Sequence, residues 1–176
     1  DVYKRQLLYG VLEHYDTKYI ESQNSMWSSK LGIDDFSESD ESLVVELNSI
    51  LQEVETDMTI FFRLLSSLEK PDISLLVDAF YNPGNIPTEK WNDWLAKWWK
   101  RVDESPNQKK MMAANPKYVL RNWMAQLAID AAEKDDYSIC EELYKLLKNP
   151  YDEQLEFHEK CFKKRPEWAR HRVGCS

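Results

Sequence analysis

The sequence predicts an all-α, helical bundle-like fold on three observations. Glycine is scarce: only four residues in 176, at positions 10, 32, 84 and 174. Average usage is roughly 7%, and glycine supplies the positive-φ positions of tight β-turns and phosphate-cradling loops. Leu, Glu, Lys, Gln and Ala, the strong helix formers, recur in long runs. Apolar residues, 43% of the chain, fall mostly at i, i+3, i+4 and i+7, the period of a helix buried on one side.

Each element follows from that spacing. Leu8, Leu12, Tyr15, Tyr19 and Met26 predict a helix from Leu7 to about Ser29, with Gly32 as its C′ residue. Residues 34–57 carry no Lys or Arg. Asp34 to Asp40 reads as a solvated loop, because Asp34, Asp35 and Asp40 lack the spacing and glycine of a calcium loop. A helix through Leu43, Val44, Leu47, Ile50, Leu51 and Val54 follows, its acidic start matched to the helix dipole. Thr56 or Asp57 caps the next helix, Met58 to Leu68. Pro71 precedes a short helix from Ser74 to Phe80.

Residues 81–87, with two prolines and a glycine, form a loop that separates two sub-bundles at most. Thr88 opens a helix bearing Trp91, Trp94, Leu95, Trp98 and Trp99. Three of its indoles share one face, which on an acidic chain reads as a core seam rather than a stacking platform. Asn115-Pro116 reads as a helix start, Asn as cap and Pro at the first position. That helix runs through Trp123 and Ala128 to about Lys134, and Asp135-Asp136 turns the chain into Ser138 to Leu147. Asn149-Pro150 repeats the start signal before a helix through Leu155 and Phe157 to Phe162, and a basic tail follows from Arg165.

Charge and length exclude several functions. A net charge of −8 repels polyanions, so nucleic acid is not the partner. No apolar run approaches the roughly 20 residues of a membrane-spanning helix. The three cysteines, at 140, 161 and 175, show no CxxC spacing, which argues against a disulfide scaffold or a zinc site and fits a reducing or organellar compartment. The HExxH, GxGxxG and P-loop patterns are absent. Of the histidines, His14 sits beside Glu13 on a charged face, and His158 with Cys161 makes an i, i+3 pair without a visible oxyanion hole. Arg63 and Arg121, with Asn122 beside it, stand in apolar stretches and read as structural pins that pair with carboxylates.

The opening Asp1-Val2-Tyr3-Lys4-Arg5-Gln6 reads as the translation of a sequencing-adapter end. The expected organisation is a scar at 1–6, one helical domain at 7–168 and a basic, cysteine-bearing tail at 169–176. Genomic DNA that encodes these six residues at this position would refute the scar.

Several motifs, in this order, resemble the C-terminal part of the selenoprotein O family: Lys30-Leu31-Gly32, Asp57-x-Thr59-x-Phe61-Phe62-Arg63, Met112-x-x-Asn115-Pro116-x-Tyr118-Val119-Leu120-Arg121-Asn122, Pro150-Tyr151-Asp152, Pro166-x-Trp168-Ala169 and Cys175-Ser176. The resemblance implies the helical C-terminal portion of a protein-kinase-like C-lobe. It implies a parent enzyme that transfers AMP from ATP, with Mg²⁺ or Mn²⁺, to Ser, Thr or Tyr of acceptor proteins. The nucleotide-binding loop, phosphate-binding lysine and metal ligands of the family precede the region matched, so no catalytic, nucleotide or metal residue maps here and the fragment alone is expected to be inactive. The expected partners are the N-terminal kinase-like lobe, docked on the Trp and Phe faces, and protein acceptors. Cys175 takes the place of the family's tail selenocysteine or cysteine, which implies a redox role, and nearby Arg170 and Arg172 favour its thiolate. The compartment implied is mitochondrial for eukaryotic relatives and cytoplasmic for bacterial ones. A different class of function also fits: a free-standing interaction module gripping a partner with the acidic 34–57 segment and the Trp helix.

Overall fold

The computed structural model describes residues 2–172, with side chains for Tyr9 and residues 14–172. Nine α-helices follow in order among these residues: α1 (Val2–Leu31), α2 (Glu38–Glu53), α3 (Met58–Leu65), α4 (Thr88–Arg101), α5 (Gln108–Ala114), α6 (Asn122–Ala132), α7 (Ser138–Lys148), α8 (Leu155–Cys161) and α9 (Glu167–Arg170). Two 3-10 segments, Ile73–Ala79 and Pro83–Asn85, lie between α3 and α4. The extended pairing among the described residues is an antiparallel bridge between Thr56 and Phe80. The fold is all-α, as the glycine scarcity and periodicity predict.

The tryptophan stripe of α4 is the centre of the core. Trp91, Trp94 and Trp98 are fully buried. The Trp94 and Trp98 rings stack with centroids 6.0 Å apart, and Trp91 meets Phe61 at 5.2 Å and Phe80 at 5.5 Å. Two indoles also bond across helices: Trp94 Nε1 donates to the Leu43 carbonyl at 2.9 Å, and Trp98 Nε1 to the Leu31 carbonyl at 2.8 Å. Each thus satisfies its one polar atom inside an apolar contact. The 81–87 loop does not divide the bundle, because Phe61 and Phe80 before it pack on Trp91 after it. A second, smaller apolar cluster of Trp123, Met124 and Ala169, with Leu143 and Cys161, joins α6 to α9.

Local chemistry places the helix ends. α1 stops at a left-handed Gly32 (φ +66°), and the Ile33 N–H reaches back to the Ser28 carbonyl at 3.0 Å, a Schellman closure. The helix starts at Val2, ahead of the predicted Leu7, and its apolar spacing does not face the core: residues 14–23 are all exposed, and burial begins in its last turns. Asp57 caps α3 by accepting from the Ile60 N–H at 3.1 Å. That helix ends at Leu65 rather than Leu68, where the Ser66 hydroxyl takes the Phe62 carbonyl at 2.7 Å.

Three expectations are corrected. Asp40 is not a solvated loop residue. It is buried, closes a capping box with Ser37 and pairs with Arg101 at 2.6 Å, so the Arg101 guanidinium and the Ser37 bonds outweigh burial and hold its carboxyl below the usual range. Asn115-Pro116 does not start a helix: Asn115 ends the short α5, which the periodicity missed, and α6 begins at Asn122. Asn149-Pro150 does not start one either; α8 begins at Leu155, and the Pro150 carbonyl accepts from the Lys117 and Tyr118 N–H groups at 2.9 and 3.0 Å.

Candidate functional site

Two polar junctions hold the helices together, and the sequence-marked arginines stand one in each. The first is built around Asp57. Its N–H donates to the Ala79 carbonyl at 2.8 Å, and the Tyr81 N–H donates to the Glu55 carbonyl at 3.0 Å, so 55–57 and 79–81 run side by side. Arg121 has extended backbone at the start of α6. From there its guanidinium forks onto Asp57, with Nη2 on Oδ1 at 2.8 Å and Nη1 on Oδ2. A cleft of about 320 Å³ opens beside this pair, lined among others by Glu55, Tyr81, Asn122, Trp123 and Arg165.

The basic segment after α8 straps down over that cleft. The Arg165 N–H donates to the Tyr81 hydroxyl at 2.9 Å, and Lys164 Nζ donates to the Phe80 carbonyl at 2.7 Å. Glu55 takes Arg165 at 3.0 Å and Arg170 at 2.6 Å. The Arg170 guanidinium lies 4.9 Å from the Tyr81 ring centroid, a cation–π contact. Burial pushes the Tyr81 hydroxyl above its ordinary pKa, against the Arg165 bond that lowers it.

The second junction centres on Arg63 and Asn115. Arg63 Nη1 donates to the carbonyls of Met112 (3.2 Å) and Asn115 (3.1 Å), and Nη2 to Glu153 at 2.6 Å. Asn115 donates to the Lys30 carbonyl and the Ser66 hydroxyl, each at 3.0 Å, and accepts from Lys30 Nζ at 3.1 Å. A side chain so fully used cannot cap a helix, which is why the Asn-Pro signal misleads. Lys117, itself buried, meets Glu153 at 2.7 Å, and with Arg63 it holds that carboxyl below its ordinary range. The Tyr118 hydroxyl donates to the Glu153 carbonyl at 2.7 Å, and burial first, then Glu153, pushes its pKa to about 12.

A model of the family described as protein adenylyltransferase SelO matches residues 2–148. The chain belongs to the SelO family. It is 45% identical to the protein nucleotidyltransferase YdiU of Flavobacterium johnsoniae over 94% of this chain and 34% of that protein. It is 42% identical to the YdiU of Aromatoleum aromaticum (96% and 34%) and 41% identical to that of Rhodopirellula baltica (92% and 34%). The chain therefore spans about a third of the length of these curated relatives.

Several of the motif residues singled out in the sequence are brought together by the fold. Lys30 meets Asn115, Asp57 meets Arg121, Arg63 meets Met112 and Asn115, and Pro150 meets Lys117 and Tyr118. Those partnerships join segments up to 85 residues apart, and nothing in the sequence pairs them. Arg63, Arg121 and Asn122 lie inside the SelO match, and the strap from Lys163 lies beyond it.

Burial pushes the Cys161 thiol up, away from a thiolate, and His158 lies against the Phe162 ring at 5.3 Å. Cys175 lies outside the described residues. The cations expected to favour its thiolate are already engaged, Arg170 by Glu55 and Arg172 by both oxygens of Asp130 at 2.9 and 3.0 Å. Asp34 pairs with Lys110 at 2.9 Å. Among the described residues no three His, Cys, Asp or Glu side chains converge as a metal site. The cleft carboxylates Glu55 and Asp57 are paired with arginines.

Proposed function

We propose that this chain is the helical C-terminal part of a SelO-family protein adenylyltransferase. In this reading it supports the kinase-like catalytic lobe, Arg63, Arg121 and Asn122 serve as structural pins, and the tail presents Cys175 as a redox-responsive thiol. The parent moves AMP from ATP to hydroxyl side chains of acceptor proteins, with Mg²⁺ or Mn²⁺ held in the part outside these 176 residues. The observation that carries the reading is the SelO match over residues 2–148 in a chain that spans about a third of its relatives' length. The junctions support it from the chemistry side, because their charges are spent on each other and offer no reacting group. The interaction-module reading loses its support: α2 and the Trp helix face each other through Trp94 and the Lys97–Glu46 ion pair at 2.7 Å.

The test compares the full-length parent with this chain in an AMP-transfer assay using labelled ATP, Mg²⁺ or Mn²⁺ and a protein acceptor. The parent transfers AMP and this chain alone does not. Transfer by this chain alone overturns the fragment reading. In the parent, Cys175→Ser abolishes an oxidant-induced disulfide seen by mass mapping, and a disulfide that persists removes the redox role.

A further inference from the structure

The Trp and Phe faces expected to hold the catalytic lobe are consumed inside the core, where Trp91, Trp94, Trp98 and Phe61 have no exposed surface. An exposed apolar row lies on α1. Tyr15, Tyr19 and Met26 lie along one side of it, 62%, 51% and 39% exposed. The row is ordered: the Tyr15 and Tyr19 rings stack with centroids 6.1 Å apart, and Gln23 Nε2 donates to the Tyr19 hydroxyl at 2.8 Å. These are the positions whose helical spacing marks a face meant for burial.

A helix in this position does not hold itself. The stretch from His14 to Gln23, exposed throughout, is roughly 15 Å long at about 1.5 Å per residue. Isolated helices of that length are marginal in water, and most helical stability in proteins comes from packing an apolar face. The inner end of α1 is anchored: Lys110 Nζ holds the Ser28 hydroxyl at 2.9 Å and the Ile33 carbonyl at 3.0 Å, and Trp98 holds the Leu31 carbonyl.

We propose that the Tyr15–Tyr19–Met26 face of α1 is the seat of the parent chain's remaining part, packed there as an aromatic seam. The inference rests on the proposed function, since the occupant is the catalytic lobe of that reading. Two facts argue for this occupant. Relatives extend over about three times the length this chain spans, so a body large enough to cover the helix belongs to the same polypeptide. The SelO match runs through the whole of α1, so this helix is part of the family's body and not an appendage.

The experiment is a thermal melt of Tyr15→Gln/Tyr19→Gln in two chains, the full-length parent and this 176-residue chain. Gln is a better helix former than Tyr, so any loss reports packing and not helix propensity. In the parent the double variant lowers Tm by at least about 4 °C, since two buried aromatics lose their contacts. In this chain it shifts Tm by less than about 2 °C, as exposed substitutions do. A parent Tm unchanged within about 1 °C overturns the proposal. So does an equal fall in both chains, which would place the tyrosines in this chain's own packing. Sedimentation of the parent gives the remaining arm: a dimer that the variant converts to monomer makes a second copy the occupant and overturns the proposal. AMP transfer by the unsubstituted parent, assayed alongside, separates this failure from failure of the functional reading.

Discussion

Asp57 is 5% exposed and works in three directions. Its backbone N–H holds Ala79, its carboxylate caps α3 through Ile60, and the same carboxylate receives both arms of Arg121. Removing Arg121 leaves a buried carboxylate with only the cap bond. Arg121→Ala is expected to lower unfolding free energy by about 3–5 kcal/mol, the cost of stranding one partner of a buried pair. Arg121→Lys is expected to recover part of that loss, because an ammonium cannot fork onto two oxygens. Urea titration measures both, and a loss below about 1 kcal/mol for the alanine variant would reduce the pair to a surface ion pair. The sequence marked Arg63 and Arg121 by their apolar settings and Asp57 by its position before a helix. It did not mark that 57 and 121 meet, because a partner 64 residues away leaves no local signal. Asn115 shows the opposite failure. Asn-Pro is a sound capping signal, but here the amide is taken by Lys30 and Ser66, and tertiary bonding overrides the local preference.

Helix periodicity located α2, α3, α4, α6 and α7 because each buries one side, the first three in the tryptophan core and the last two in the smaller cluster. It missed α5, whose seven residues give barely two turns of pattern. For α1 it found the apolar face but not its direction, since spacing says that a face wants burial and not which body buries it. The end of α1 was legible for a physical reason: Gly32 has φ +66°, and a Cβ there would stand 2.8 Å from the Met111 Sδ and 3.2 Å from the Asn107 nitrogen. The thioether can move and the backbone of Asn107 cannot easily. Gly32→Ala is expected to cost about 1–2 kcal/mol. That corresponds to a fall in Tm of about 2–8 °C, read by circular dichroism on this chain. An unchanged Tm would mean that α1 ends without the left-handed residue.

Across the whole molecule, the large core and the smaller α6–α9 cluster are tied by the strap over Tyr81. Glu55 is its fastener, holding Arg165 and Arg170 from a side chain that is 45% exposed. Exposed ion pairs contribute roughly 0–1 kcal/mol, so Glu55→Ala is expected to leave Tm nearly unchanged. It is expected to free the strap instead, raising the rate of tryptic cleavage after Lys163 and Lys164 several-fold. Equal cleavage in both proteins would show that Tyr81 and Phe80 hold the strap without Glu55. The strap also has a place in time. Glu55 is synthesised 110 residues before Arg165 and 115 before Arg170. At about 5–20 residues per second, its carboxylate waits roughly 5–25 s for its partners, and Trp91, Trp94 and Trp98 of the core are themselves added within that interval. During that interval the growing polypeptide presents an open, acidic Tyr81 corner, and the ribosome's pace sets how long it stays uncovered.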